Sequence, residues 1–210
     1  MFHELTILNR AFLHLQSPTC SPNGVSLDGT DDFFNIPGWS WGGTTSFAAY
    51  VKYHSRNSWN RIIDFGNGKE NNNVLLCNYG GTSKITWSVW QESSDKLVSD
   101  SNFDSSSWTH MVATVKGNNM KIYKNGVLVG TQIDGHEPNV LTRDHHYIGA
   151  NPNWAGYPGY FHGTIAYVKM WHDVELQQSD VTDLYAPHNS AHHFWDFRGA
   201  CSEGRSDKRE

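Results

Sequence analysis

Residues 106–133 read SSWTHMVATVKGNNMKIYKNGVLVGTQI, and this stretch decides the fold. From Trp108 to Lys116, and again from Met120 to Lys124, β-branched and aromatic residues alternate with polar ones at the two-residue period of a strand. Gly117, Asn118 and Asn119 tolerate positive φ between the two runs, and Asn125-Gly126 is the strongest short hairpin signal, a two-residue type I′ turn. A third strand, Val127 to Ile133, follows. A meander of three strands cannot bury its apolar face alone, so a second sheet has to cover it.

The totals agree with one β domain. A chain of 210 residues with 38% hydrophobic content can build one sizeable core, and all-β sandwiches reach this length as single domains. The net charge is −5 and the basic residues are scattered, so nothing steers nucleic acid to the chain. No apolar run reaches the ~20 residues that span a bilayer, so no membrane insertion is expected. Glu4 and Arg10 interrupt what would be the apolar core of a signal peptide, and none is read. RSDKRE at the C-terminus reads as a solvated tail.

In chain order, residues 1–23 are an extension of open assignment. Phe2, Leu5, Leu8, Phe12 and Leu15 fit a helical stripe, while Leu5–Ile7 and Phe12–Leu15 fit edge strands. The sandwich starts at Gly24 and runs through Phe33–Pro37, Thr45–Tyr53, Arg61–Phe65, Val74–Asn78 and Lys84–Gln91. Gly38–Gly43 reads as a loop carrying Trp39 and Trp41, and the polar, Ser-rich Glu92–Ser107 as a connection. After the meander come a short strand at His146–Gly149, a loop at Asn151–His162 and a long strand at Gly163–Trp171. Ser179 is placed to cap a short helix ending near Tyr185. The reading is an all-β, two-sheet antiparallel β-sandwich of the jelly-roll type, with about twelve strands and one short C-terminal helix. It spans residues 24–186, with 187–210 as a tail.

The segments GVSLDGTDDFFNIP, SFAAYVK, SWTHMVATVKGNNMKIYKNGVLV, HHYIGA and FHGTIAYVKMWHDVELQQSDV resemble, in order and spacing, the strands of a laminin G-like or pentraxin-like jelly roll of the concanavalin A-like lectin/glucanase superfamily. Ala191–Cys201, AHHFWDFRGAC, is similar to the joint between repeated modules of this kind. The resemblance implies an extracellular or cell-surface module that binds glycan or glycoprotein, often through calcium. In pentraxins the calcium carboxylates come from the segments equivalent to Glu70–Leu75 and Gly149–Asn153. Here Asn71, Asn151 and Asn153 stand where acids are expected, and neutral amides supply oxygen without the charge that calcium affinity needs. Ala166 likewise follows Ile165 where many relatives carry Asp. No cofactor is expected, and a pentraxin-type calcium site lacks its carboxylates.

Catalysis finds little support. Glycoside hydrolysis needs two carboxylates across a groove, and no Glu-x-Asp-x-x-Glu pattern occurs. Glu4, Glu70, Glu92, Glu137 and Glu175 fall in the N-terminal segment, in loops or beside the final helix, and Asp173-Val174-Glu175 reads as a solvated connector. The pairs His145-His146 and His192-His193 point to opposite faces in extended chain and cannot chelate one ion. His110 reads as a hydrogen-bonded, partly buried strand residue. Asp28, Asp31 and Asp32 are the densest acidic cluster; they suit an Asx-type turn around Gly29 or a weak cation site. Of three cysteines, Cys20 and Cys201 bracket the patterned region and could pair, while Cys77 reads as a buried thiol.

The loop NPNWAGYPGYFH is the binding candidate. Trp154, Tyr157 and Tyr160 sit among Gly156, Pro158 and Gly159, a composition that holds rings on a loop, and Trp59 is a further loop aromatic. Sugar C–H faces stack on such rings while amides such as Asn151 and Asn153 fix orientation. Trp87, Trp108 and Trp171 read as packing residues. The expectation is a non-catalytic carbohydrate- or glycoprotein-binding module. The alternatives are a protein–protein adhesion or assembly domain and a divergent glycosidase or polysaccharide lyase.

Overall fold

The computed structural model describes residues 12–14, 19–91, 94–154, 156–185 and 195–196. In chain order its strands are β1 (Phe12–His14), β2 (Thr19–Ser21), β3 (Gly24–Asp28), β4 (Phe33–Ile36), β5 (Trp39–Trp41), β6 (Thr45–Tyr53), β7 (Arg61–Gly66), β8 (Val74–Asn78), β9 (Lys84–Trp90), β10 (Ser94–Asn102), β11 (Trp108–Lys116), β12 (Asn119–Lys124), β13 (Val127–Gln132), β14 (Leu141–Arg143), β15 (His145–Ile148), β16 (His162–His172) and β17 (Trp195–Asp196). One helix, α1 (Gln178–Tyr185), lies between β16 and β17. One sheet runs β1-β4-β15-β7-β8-β9-β10. The facing sheet runs β13-β12-β11-β6-β16-β3-β2, with β17 also paired to β16, and β5 pairs β14 separately. Every pairing is antiparallel, and the two sheets make the jelly-roll sandwich. No helix among the described residues is long and apolar enough to cross a membrane.

The meander forms as its alternation dictates. Asn125 and Gly126 hold φ of 50° and 82°, the left-handed pair that a type I′ turn requires, and Lys124 faces Val127 across it. On β11, Met111, Ala113 and Val115 enter the core between the sheets, where Phe47, Phe65, Leu76 and Trp87 meet them. Val112 points the other way, into a smaller cluster with Ala48, Tyr123, Trp171, Leu176 and Val181. The eight-stranded sheet is thus covered on both faces, by its partner sheet and by α1 with the segment before it. A bulge at Ala166, where the β16–β6 register skips a residue, lets Ile165 and Val168 both face the core.

The structure corrects several expectations. Trp39–Trp41 is not a loop but strand β5, paired with β14 a hundred residues later. Trp41 is buried and its indole N–H donates to His146 Nε2 at 2.9 Å, while the Trp39 ring stacks on His146 at 4.1 Å between centroids. Burial, with Arg143 nearby, pushes the pKa of His146 down to about 3. Ser94–Asn102, read as a polar connection, is the edge strand β10, where one face needs no apolar residues. His110 is 1% exposed and neither ring nitrogen has a hydrogen-bond partner among the described residues; it stacks on Tyr185 instead, and burial lowers its pKa to about 4. Glu175 is not solvated but pairs with Lys121 at 2.7 Å. The helix begins at Gln178, so Ser179 lies in its first turn, and the Asp180 carboxylate reaches back to the Gln177 N–H at 2.8 Å. Cys77 is a buried thiol, whereas Cys201, and with it the pairing to Cys20, lies outside the described residues.

Candidate functional site

The outer face of the seven-stranded sheet carries the site. Along β8 and β9 the inward positions are Val74, Leu76, Ile85, Trp87 and Val89, which leaves Leu75, Cys77, Thr86, Ser88 and Trp90 pointing outward. Cross-strand register puts Leu75 beside Ser88 and Cys77 beside Thr86. On β7 the ladder skips Ile62, pairing Arg61 with Cys77 and Ile63 with Leu76. Residues three apart on a regular strand face opposite ways; this bulge lets Arg61 and Asp64 share the outer face.

Arg61 Nε donates to Asp64 Oδ2 at 2.8 Å, with the two side chains 4% and 0% exposed. The Asn73 amide donates to Asp64 Oδ1 at 2.7 Å, while Asn151 Nδ2 is buried close by with no hydrogen-bond partner among the described residues. Burial raises the pKa of Asp64, and Arg61 and Asn73 oppose that rise. Arg61 Nη1 donates to the Tyr157 carbonyl at 3.0 Å, and the guanidinium lies over the Trp154 ring at 4.7 Å. One buried cation therefore anchors the aromatic loop to the sheet. Backbone bonds complete the attachment: Arg61 N–H to Gly159 O at 2.8 Å, Gly149 N–H to Ile62 O at 3.1 Å and Phe161 N–H to Gly149 O at 2.7 Å. Gly159, at φ 61°, is required there, because a Cβ would collide with the guanidinium and the Trp59 carbonyl.

Between this loop and β9 runs a groove of about 410 Å³. Trp59, Trp90, Trp154 and Tyr157 wall it, Leu75, Cys77, Thr86 and Ser88 form its floor, and Lys69 and Glu70 stand at its rim. Trp90 meets Trp154 edge to face at 5.8 Å. Trp59 holds φ 59°, a left-handed backbone that a bulky residue adopts only under constraint; its N–H bonds Gly80 O and its ring meets Tyr79 edge to face. Tyr157 is 71% exposed. Thr86 Oγ1 and Trp154 Nε1 are both buried without a hydrogen-bond partner among the described residues. Such a set can stack on a ring face and complete its hydrogen bonds with hydroxyls.

The structure divides the residues anticipated from sequence. Trp59, Trp154 and Tyr157 meet in the groove. Asn151 is buried, its N–H donating to Pro158 O at 2.8 Å and its Oδ1 accepting the Asn153 N–H at 3.0 Å, so it positions the loop and does not face solvent. Asn153 and Tyr160 fall on the other flank of the loop, where Asn153 Nδ2 donates to Tyr147 Oη at 3.0 Å and Tyr160 packs near Phe33. Asn71 bonds Asn67 O, and Asn73 is committed to Asp64. The carboxylates of Asp28, Asp31 and Asp32 lie within 4.8 Å of one another in the turn after β3, outside the groove lining; Asp28 Oδ1 accepts the Thr30 N–H and Asp32 Oδ2 the Asp28 N–H, as an Asx-type turn does. Arg61, Thr86, Ser88 and Trp90 were not singled out from sequence. The alternation of KITWSVW sets Thr86, Ser88 and Trp90 on one face, but which face is outward depends on the second sheet.

The fold is a two-sheet antiparallel jelly roll with an aromatic groove on one outer face. The chain belongs to the concanavalin A-like lectin/glucanases superfamily, whose profile matches residues 28–182. Comparison with curated proteins by sequence gives no match. Among solved structures, the chain resembles domain 4 of AbnA, a GH43 extracellular arabinanase from Geobacillus stearothermophilus, in complex with arabinotriose, at TM-score 0.68 and 17% identity over 88% of this chain and 87% of that one. It also resembles the CBM40 of the Ruminococcus gnavus IT-sialidase bound to α2,3 sialyllactose, at TM-score 0.62 and 14% identity over 86% and 100%. The heptameric SAP-like pentraxin of Limulus polyphemus matches at TM-score 0.59 and 15% identity over 80% and 84%. At these identities the likeness establishes the fold.

Proposed function

We propose that the protein is a non-catalytic carbohydrate-binding module that holds its ligand in the groove over β7, β8 and β9. The observation that carries this reading is the joining of four aromatic walls to a floor with an unpartnered buried hydroxyl, within one cleft of about 410 Å³. Stacking on Trp154 and Tyr157, with hydrogen bonds from below, is the chemistry by which a sugar ring is held in water. The arabinotriose and sialyllactose complexes of the similar domains support a saccharide as the class of ligand. Glu70 is the one carboxylate in the groove lining, where hydrolysis would take two; Asp64 lies beneath, engaged by Arg61 and Asn73. The reading places the domain at or outside the cell surface, as a glycan-binding unit of a larger protein.

Glycan-array screening followed by calorimetry tests it. Trp154→Ala removes the central stacking ring and is expected to weaken saccharide binding by at least about tenfold, a loss of ~1.4 kcal/mol. Release of reducing ends or unsaturated products from a polysaccharide would overturn the non-catalytic reading. Self-association indifferent to saccharide, with no glycan bound, would favour an adhesion domain.

A further inference from the structure

Resting on the saccharide reading, we infer that the groove selects a short uncharged saccharide over its acidic counterpart, with the Trp154 indole N–H and the Thr86 hydroxyl completing the ring's hydrogen bonds. Three features carry this. The first is size: about 410 Å³ lies near the lower end of the ~300–1,000 Å³ range of small-ligand sites, which fits a mono- or disaccharide unit and not a long buried chain.

Charge is the second. Arg61 is the cation nearest the floor, but it is 4% exposed, neutralised by Asp64 at 2.8 Å, covered by the Trp154 ring and bonded to the Tyr157 carbonyl. A ligand carboxylate cannot replace these contacts without stranding Asp64. At the rim, Lys69 and Glu70 are neighbours of opposite sign, both exposed. An anionic sugar would shed water in the groove and meet no net positive charge in return, whereas a neutral ring has no such penalty.

The third feature is the pair of unpartnered groups. An indole N–H is a donor only, so Trp154 Nε1 calls for an acceptor, and Thr86 Oγ1 can donate or accept. Sugar hydroxyls and ring oxygens provide both roles without charge. Both residues line the same groove, with the two polar atoms beneath its surface.

The test uses the full chain and saccharides matched in skeleton: cellobiose against cellobiouronic acid, and galactobiose against digalacturonic acid, within an array that holds neutral and acidic glycans of many linkages. Among glycans that bind, the neutral member of each matched pair is expected to bind at least about tenfold more tightly, with little dependence on salt. Thr86→Val, which keeps shape and removes the hydroxyl, is expected to weaken the neutral ligand about tenfold while leaving the melting temperature unchanged or higher. Tighter binding of the acidic members, or full affinity in Thr86→Val, overturns this inference and leaves the carbohydrate-binding reading standing. Binding of no glycan, neutral or acidic, overturns both.

Discussion

Replacing Arg61 by methionine keeps most of the side-chain volume and removes the charge that faces Asp64. Asp64 is fully buried and its other oxygen is held by Asn73 at 2.7 Å, so the carboxylate would stay in place without its cation. Breaking a buried pair from one side costs about 3–5 kcal/mol. At roughly 2–4 °C per kcal/mol for a domain of this size, the melting temperature should fall by about 10 °C. The sign of the pH dependence follows from the raised pKa of Asp64. An acid whose pKa is higher folded than unfolded favours the native state when protonated, and that stability is lost as pH rises through the folded pKa. Without Arg61 the pKa rises further, so the deficit should be larger at about pH 8 than at about pH 5. Adding Asp64→Asn removes the stranded charge and should restore most of the loss. Melting curves followed by circular dichroism read all three results. A variant melting within about 2 °C of the parent at both pH values would refute the anchoring role given to Arg61.

Other outcomes follow from the same geometry. His110→Phe should raise stability by about 1 kcal/mol, because it removes two buried nitrogens that have no partner. Since His110 titrates near 4 when folded and near 6.5 when unfolded, its stabilising neutral form is present above about pH 6.5 and is lost on acidification; the variant should lose less stability between about pH 7 and pH 5 in urea titrations, and an unchanged slope would contradict this. Millimolar calcium should leave the melting temperature unchanged, because Asp28 and Asp32 are already engaged with backbone N–H groups; a rise by mass action would instead establish a cation site.

Local pattern made much of the fold legible. Thr45–Tyr53, by its alternation, and Val74–Asn78, as a short apolar run between turns, form strands with the expected bounds, and Asn125-Gly126 turns where its conformational freedom places the turn. The errors have a common cause in partners far along the chain. Trp39–Trp41 lies between glycines and resembles a loop until Leu141–Arg143 pairs with it. Ser94–Asn102 is polar because it is an edge, and edge strands need not alternate clearly. In the site, aromatic richness among glycines and prolines pointed to Trp154 and Tyr157. The Ile62 bulge that turns Arg61 and Asp64 to one face leaves no mark in the sequence, and neither does the burial that converts Asn151 from a candidate contact into a loop support.

A saccharide is expected over β7, β8 and β9, in the groove walled by Trp59, Trp90, Trp154 and Tyr157. Amide and indole NMR spectra recorded while a bound glycan is titrated into the intact chain test this most directly. The indole signals of Trp59, Trp90 and Trp154 are expected to move together with the amides of Cys77, Thr86 and Ser88. Perturbations centred instead on Asp28–Asp32, or on the outer face of the eight-stranded sheet around Trp108 and Tyr185, would contradict it.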